Sequence, residues 1–188
     1  MAKSKHKTGN RTSLKIIGGL TFIGLLIVYF FFFSSMGRTS DKEYVYIDED
    51  DNIDSVYQKL EPISTKHSLW TFKQLAKLTS YKDHIRTGRY QISSSGALQT
   101  FRHFKNGSQA PVSLTLHSVR TKDDLAKSVS EKLMFSKEAL LDSLNSSETC
   151  KKYGYTPETV MALFIPNTYE FYWNTSIEKF LEKMSEEN

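Results

Sequence analysis

A single cysteine, Cys150, stands among the 188 residues, so no disulfide can close within the chain and no cysteine-rich zinc site can be built. The short enzyme signatures GxSxG, HExxH, the P-loop and GxGxxG are all missing. No histidine lies near Cys150 in sequence, which leaves a thiol nucleophile without support. His67, His84, His103 and His117 show no metal-ligand spacing, and neither a metal nor a cofactor is expected. Acidic residues are absent from the first 15 positions, which hold Lys3, Lys5, Lys7, Arg11 and Lys15. The other 173 residues carry 20 basic and 21 acidic side chains, so the formal charge of +4 belongs to a tail and the body is near neutral. A body of that balance lacks the excess of basic charge that binding to nucleic acid draws on, and no nucleic-acid partner is expected.

What is present begins with one long apolar run. Ile16–Phe33 has 18 residues without a charge, flanked by Lys15 and Arg38. At about 1.5 Å per residue, a helix of that length comes close to the roughly 30 Å hydrocarbon core of a bilayer. A cleaved signal peptide has an apolar stretch of about 7–15 residues and a small-residue cleavage site. This run is longer and ends in four phenylalanines. The expectation is an uncleaved transmembrane helix over 16–35, with 1–15 as a cytoplasmic basic tail. Everything after Met36 then lies outside a single-pass inner (plasma) membrane anchor, in the periplasm or at the cell exterior.

Gly37–Lys42 reads as a short polar linker. Tyr44–Ile47 reads as a strand, and Asp48–Asp51 as a solvated acidic turn charging the next helix N-terminus. Ile53, Val56, Tyr57 and Leu60 keep helical spacing up to Pro62. Ser68 opens a second helix with Leu69, Phe72, Leu75, Ala76 and Leu78 as its stripe. Gly88–Ile92 is a short strand. A helix with Leu98, Phe101 and Phe104 follows, closed by Asn106-Gly107. Val112, Leu114 and Leu116 alternate on one face of another strand, with His117 at its end.

From Thr121 the pattern turns mostly helical: Thr121 with Asp124 resembles a capping box, and Ser136 caps a further helix through Leu144. Asn145–Thr149 reads as a loop, and Thr156-Pro157 as the start of a helix to about Leu163. Ile177, Phe180, Leu181 and Met184 mark the last helix. The fold class is α+β.

One segment stands apart. Phe164–Trp173 (FIPNTYEFYW) interleaves aromatic rings with Pro166, Asn167, Thr168 and Glu170. Aromatic faces beside hydrogen-bonding groups suit sugars, whose C–H faces are apolar and whose hydroxyls need partners. The same composition also suits a buried extended segment packing the helices, with Tyr169 and Glu170 satisfied at its edge.

Taken together the chain resembles the YceG-like family of endolytic murein transglycosylases. The resemblance rests on the basic tail and anchor, on Gly88-x-Tyr90-x-Ile92, on the Leu98…Phe101…Asn106-Gly107 helix end, and on Val112–Leu116 before Thr121…Leu125. Its most specific part is Leu163-Phe164-Ile165-Pro166-Asn167-Thr168-Tyr169-Glu170-Phe171, which is similar to the family's LFPxTYEF segment, with Ile165 as the departure. The resemblance implies a small LysM-like βααβ domain over 44–118, and the mostly helical start of the catalytic domain over 119–188. It also implies cleavage of nascent glycan between N-acetylmuramic acid and N-acetylglucosamine, giving 1,6-anhydro ends and terminating chains. Peptidoglycan strands would be the substrate and peptidoglycan synthases further partners. Phe164, Pro166, Thr168, Tyr169, Glu170 and Phe171 would be the substrate-binding residues.

The family's catalytic glutamate belongs to an SIIEKE-type segment that does not occur up to Asn188, so no catalytic residue is assigned and Glu170 does not take that role. The chain then reads as an N-terminal portion: a fragment, a truncated product or a degenerate paralogue, inactive by itself. The alternative is a non-catalytic bitopic module that binds peptidoglycan or proteins of the division and elongation machinery.

Overall fold

A computed structural model of the chain describes residues 9–39, 41–92 and 95–187. Lys3, Lys5 and Lys7 of the tail, Ser40, Ser93-Ser94 and Asn188 lie outside the described residues. Helices and strands mix as expected of an α+β chain, and two compact units emerge. One gathers Asp51–Ile85 and Ile92–Lys105 with the chain up to Glu43. The other gathers Tyr44–Asp50, Arg86–Gln91 and Asn106–Asn188.

The first unit is helical. Helix α1 spans Gly9–Phe33, and its stretch Lys15–Phe33 is the one described helix long and apolar enough to cross a membrane. From Ile16 to Phe33 its side chains are apolar on every side and mostly exposed, the pattern of a helix whose solvent is not water. Helix α2 (Ile53–Leu60) starts at Asn52, whose Oδ1 accepts from the backbone N–H groups of Asp54 and Ser55 at 2.9 and 3.0 Å. Asp51 of the acidic turn forms an ion pair with Lys59 one face along. Helix α3 (Lys66–Leu78) begins before Ser68, which lies buried inside it and donates to the Ser35 carbonyl at 2.9 Å. Leu78 is exposed, because the helix ends there and the stripe has already rotated off the core. Helix α4 covers Ala97–Asn106, and Gly107 takes a left-handed φ of 71° just beyond it, a conformation that a Cβ disfavours. Phe72 is fully buried at the centre, edge-on to Tyr57, Tyr81, Phe101 and Phe104 with centroids 5.3–6.4 Å away.

The expected linker starts as an ordered junction. Met36 is fully buried, its N–H donates to Ser95, and its carbonyl accepts from Thr65 at 3.0 Å. Arg38 donates from its backbone to Ile63 and from its guanidinium to the carbonyls of Ser64 (2.7 Å) and Glu61 (3.2 Å). Polar composition suggested slack. The backbone groups are in fact claimed by the turn between α2 and α3.

Strands β1 (Glu43–Ile47) and β2 (Gly88–Ile92) pair with each other, so the order strand, helix, helix, strand is present. Val45 and Ile47 point inward while Tyr46 faces out. In the second unit β3 (Val112–Leu116) pairs antiparallel with β4 (Asn167–Phe171), and α5 (Lys122–Ser130), α6 (Lys137–Asn145), α7 (Ser147–Lys152) and α8 (Ile177–Glu186) complete it. Thr121 Oγ1 accepts from Asp124 N–H, and Ser136 Oγ from Ala139 N–H, so both expected caps are in place.

Two expectations are corrected. Asn145–Thr149 is not a loop, because Ser146 caps α7 directly through Thr149 N–H at 3.3 Å. The helix expected from Pro157 is only turns and a 3-10 segment, Val160–Leu163. There the Thr159 hydroxyl accepts from Thr156 N–H at 2.9 Å, closing a tight turn in place of an α-helical start. Phe180 centres this core, 5.2 Å from Phe171, 5.8 Å from Phe135 and 6.0 Å from Phe164.

Candidate functional site

The β3–β4 ribbon brings together residues some 50 positions apart. Val112 stands opposite Phe171 and Leu114 opposite Tyr169, all buried against the helices. The intervening pairs, Ser113 with Glu170 and Thr115 with Thr168, face outward. Period-two alternation in both strands makes this sorting automatic once the register is set. Thr115 and Thr168 join their hydroxyls at 3.0 Å. Beside Glu170 lies an open hollow of about 430 Å³, lined by Phe171, Tyr172, Thr175, Lys179 and Lys183. Lys183 donates to the Glu170 backbone carbonyl at 2.7 Å, and its ammonium sits 5.0 Å from the Phe171 ring centre. Tyr172 is 56% exposed, so its ring is free to stack on a ligand.

The six residues of the sequence expectation therefore divide. Phe164, Tyr169 and Phe171 are core residues, and the Tyr169 hydroxyl donates to the Ile165 carbonyl at 2.9 Å. Burial pushes its phenol above the ordinary value, so it stays a neutral donor. Pro166, Thr168 and Glu170 are exposed. Thr168 and Glu170 join Ser113 and Thr115 in a row of three hydroxyls and a carboxylate, suited to hydrogen-bonding a hydroxyl-rich ligand.

A second hollow of about 420 Å³, in the same unit, went unread in the sequence. Tyr44, Tyr46, Arg89, Glu131, Lys132 and Trp173 line it. The Arg89 guanidinium lies 4.1 Å from the Tyr44 ring centre and donates to the carbonyls of Ala110 and Pro111. Tyr46 meets Trp173 edge-on at 5.1 Å. The signal was available: in Tyr44-Val45-Tyr46-Ile47 the tyrosines share the face opposite the aliphatic pair.

Gly88 holds this corner together. Its φ of 152° lies in a region open to glycine, and a Cβ there would fall 2.3 Å from the Gln109 side chain. Gln109 accepts from Arg89 N–H and donates to Asn174, which in turn donates to the Thr87 carbonyl at 3.1 Å.

Other titratable groups do not gather into a reaction centre among the described residues. Cys150 is buried, donates to the Leu144 carbonyl, and has its thiol pushed up by that burial, which works against a thiolate. Lys152 and Glu178 form an exposed ion pair; the hydrogen bond from Lys152 pulls the Glu178 carboxyl down and that to Glu178 raises Lys152. Both then stay charged, as surface pairs do, rather than sharing a mobile proton.

No curated protein matches the chain. Among solved structures, the 2.6 Å crystal structure of a YceG-like protein from Listeria monocytogenes is similar, at 20% identity and a TM-score of 0.38. The alignment covers 79% of this chain and 54% of that one, so the chain spans about half the length of that relative. The model of the YceG-like family matches residues 45–188, which include both strands of the ribbon and all of Leu163–Phe171. The chain belongs to the YceG-like family.

Proposed function

We propose that this chain serves glycan binding in a membrane-anchored endolytic murein transglycosylase that acts on nascent glycan strands between N-acetylmuramic acid and N-acetylglucosamine. The family match over 45–188 carries the reading. The apolar helix Lys15–Phe33, preceded by a basic tail, supports a single-pass anchor with the N-terminus in the cytoplasm and the remainder outside. Glycan would lie along the outward row Ser113, Thr115, Thr168 and Glu170. Tyr172 offers an apolar ring, while Phe164, Tyr169 and Phe171 hold the ribbon from beneath. The strand–helix–helix–strand segment within 44–118 is the proposed LysM-like companion module, and 119–188 the start of the catalytic domain.

The reaction needs one carboxylic acid. It protonates the leaving glycosidic oxygen, and as a carboxylate it then takes the proton of the muramic acid C6 hydroxyl as that oxygen bonds to C1. No water is consumed and no second carboxylate is required. Such proton donation is worth roughly 10²–10⁴-fold in rate. No carboxylate of these 188 residues stands in the family's acid segment, so Glu170 is assigned to binding.

The test incubates the purified chain with uncrosslinked glycan strands, measuring co-sedimentation together with 1,6-anhydro ends by mass spectrometry. Binding that falls in Thr168→Ala/Glu170→Gln, without anhydro ends, is the expected result. Loss of binding to glycan altogether would overturn the reading. Anhydro ends that vanish in Glu170→Gln would move the acid onto Glu170. A non-catalytic module binding division or elongation proteins is the second reading, favoured by the aromatic hollow at Tyr44, Tyr46 and Trp173.

A further inference from the structure

The end of α1 is packed onto α3. Phe30 stacks on His67 at 5.2 Å, and Phe31 meets the Trp70 indole at 5.6 Å. Ser34 hydrogen-bonds His67 Nε2 at 2.6 Å, and Ser68 donates to Ser35. Gly96 seals the other side: a Cβ there would lie 2.8 Å from the Phe32 carbonyl oxygen. Few torsions remain free between the apolar helix and α3, so wherever the end of α1 sits, the start of α3 sits too.

Nineteen residues, Lys15–Phe33, are about as long as the roughly 30 Å hydrocarbon core, which puts Phe30–Phe33 at the boundary between acyl chains and headgroups. Trp70 touches that boundary while 55% exposed. Its neighbours on the exposed stripe of α3 are Lys66, Lys73 and Lys77, at spacings of four, three and seven residues, and the helix has no acidic residue. Tryptophan at the acyl boundary with lysines reaching outward is the composition of an interfacial anchor, since indole is amphipathic and the lysine stems can extend to anionic headgroups.

We propose that this face of α3 rests in the headgroup layer of the leaflet at which α1 ends, with Trp70 inserted and Lys66, Lys73 and Lys77 against anionic lipid. The inference rests on the anchor reading above. It goes beyond it by making the first unit a lipid-bound element, which holds the chain beyond α1 close to the membrane surface.

Trp70 and Trp173 are the two tryptophans, so comparing the natural chain with Trp70→Phe isolates the Trp70 signal and leaves Trp173 as an internal reference. Trp70 is exposed, so the change spares the core. The full chain is reconstituted into phosphatidylethanolamine–phosphatidylglycerol vesicles carrying lipids brominated either near the headgroup or near the chain ends. The expected Trp70 emission is shifted to shorter wavelength, and its intensity is lost more to the shallow bromines than to the deep ones. In Lys66→Gln/Lys73→Gln/Lys77→Gln that quenching falls. A chain that floats with the vesicles while Trp70 stays unquenched overturns this inference and leaves the anchor standing, the face then being open to a protein partner. A chain that does not float removes the anchor reading itself.

Discussion

Two aromatic runs in this chain meet opposite fates. Phe30–Phe33 closes a helix with apolar side chains all round, and Phe30 and Phe33 stay 55% and 60% exposed. Phe164–Trp173 spreads five rings over ten positions, and Phe164, Tyr169 and Phe171 are buried to within 8%. Both are rich in rings; the interleaved polar residues separate them. Thr168 and Glu170 force β4 to turn one face to solvent, and the rings take the other. With no polar residue from Phe22 to Phe33 except Tyr29, α1 has no face to hide and must find an apolar solvent instead.

The largest test of that contrast removes one ring from the buried run. Phe171→Ala empties a site against Phe180 and Tyr169, and should cost about 3–5 kcal/mol in urea unfolding followed through Trp173 fluorescence. Phe33→Ala, exposed in α1, should leave the same midpoint within about 0.5 kcal/mol. Equal losses would break the comparison.

A second, smaller effect sharpens it within the strands. Tyr90 is fully buried, its hydroxyl donates to the Arg86 carbonyl at 2.9 Å, and burial pushes its phenol up to about 12. The folded value lies above the unfolded one, near 10, so the neutral phenol contributes stability that is complete below about pH 10. That stability is lost as pH rises towards 12. The linked change is about 2–3 kcal/mol. Alkaline denaturation of Tyr90→Phe should show a correspondingly shallower slope across that window. An unchanged slope would mean that Tyr90 titrates as freely as an exposed tyrosine.

The smallest effect belongs to the outward face. Thr168→Ala removes an exposed hydroxyl pair with Thr115, worth about 0.2–1 kcal/mol by thermal unfolding. A loss as large as that of Phe171→Ala would show that this face is structural after all.

Local periodicity and capping carried most of the secondary structure. Thr121 and Ser136 cap because their hydroxyls reach N–H groups three residues on, and Val112–Leu116 alternates whatever it packs against. Where these signals failed, the residue type had two uses. Serine and asparagine suit loops and helix caps alike, so Asn145-Ser146 read as a loop although one helix ends there and the next begins. Polar Gly37 and Arg38 looked like slack for the same reason, although their backbone is tied to the turn before α3.

The sequence by itself determined which positions are apolar, where helices can begin, that one helix wants a non-aqueous solvent, and which family the chain resembles. Tertiary structure alone decided that Glu170 stands across from Ser113, that Trp173 meets Tyr46, and that Trp70 touches the end of α1. The physical reason is range. Periods of 2 and 3.6 are written within a few neighbouring residues, whereas a pairing 57 positions apart depends on register and on which buried faces compete for each other, and no local window contains that competition.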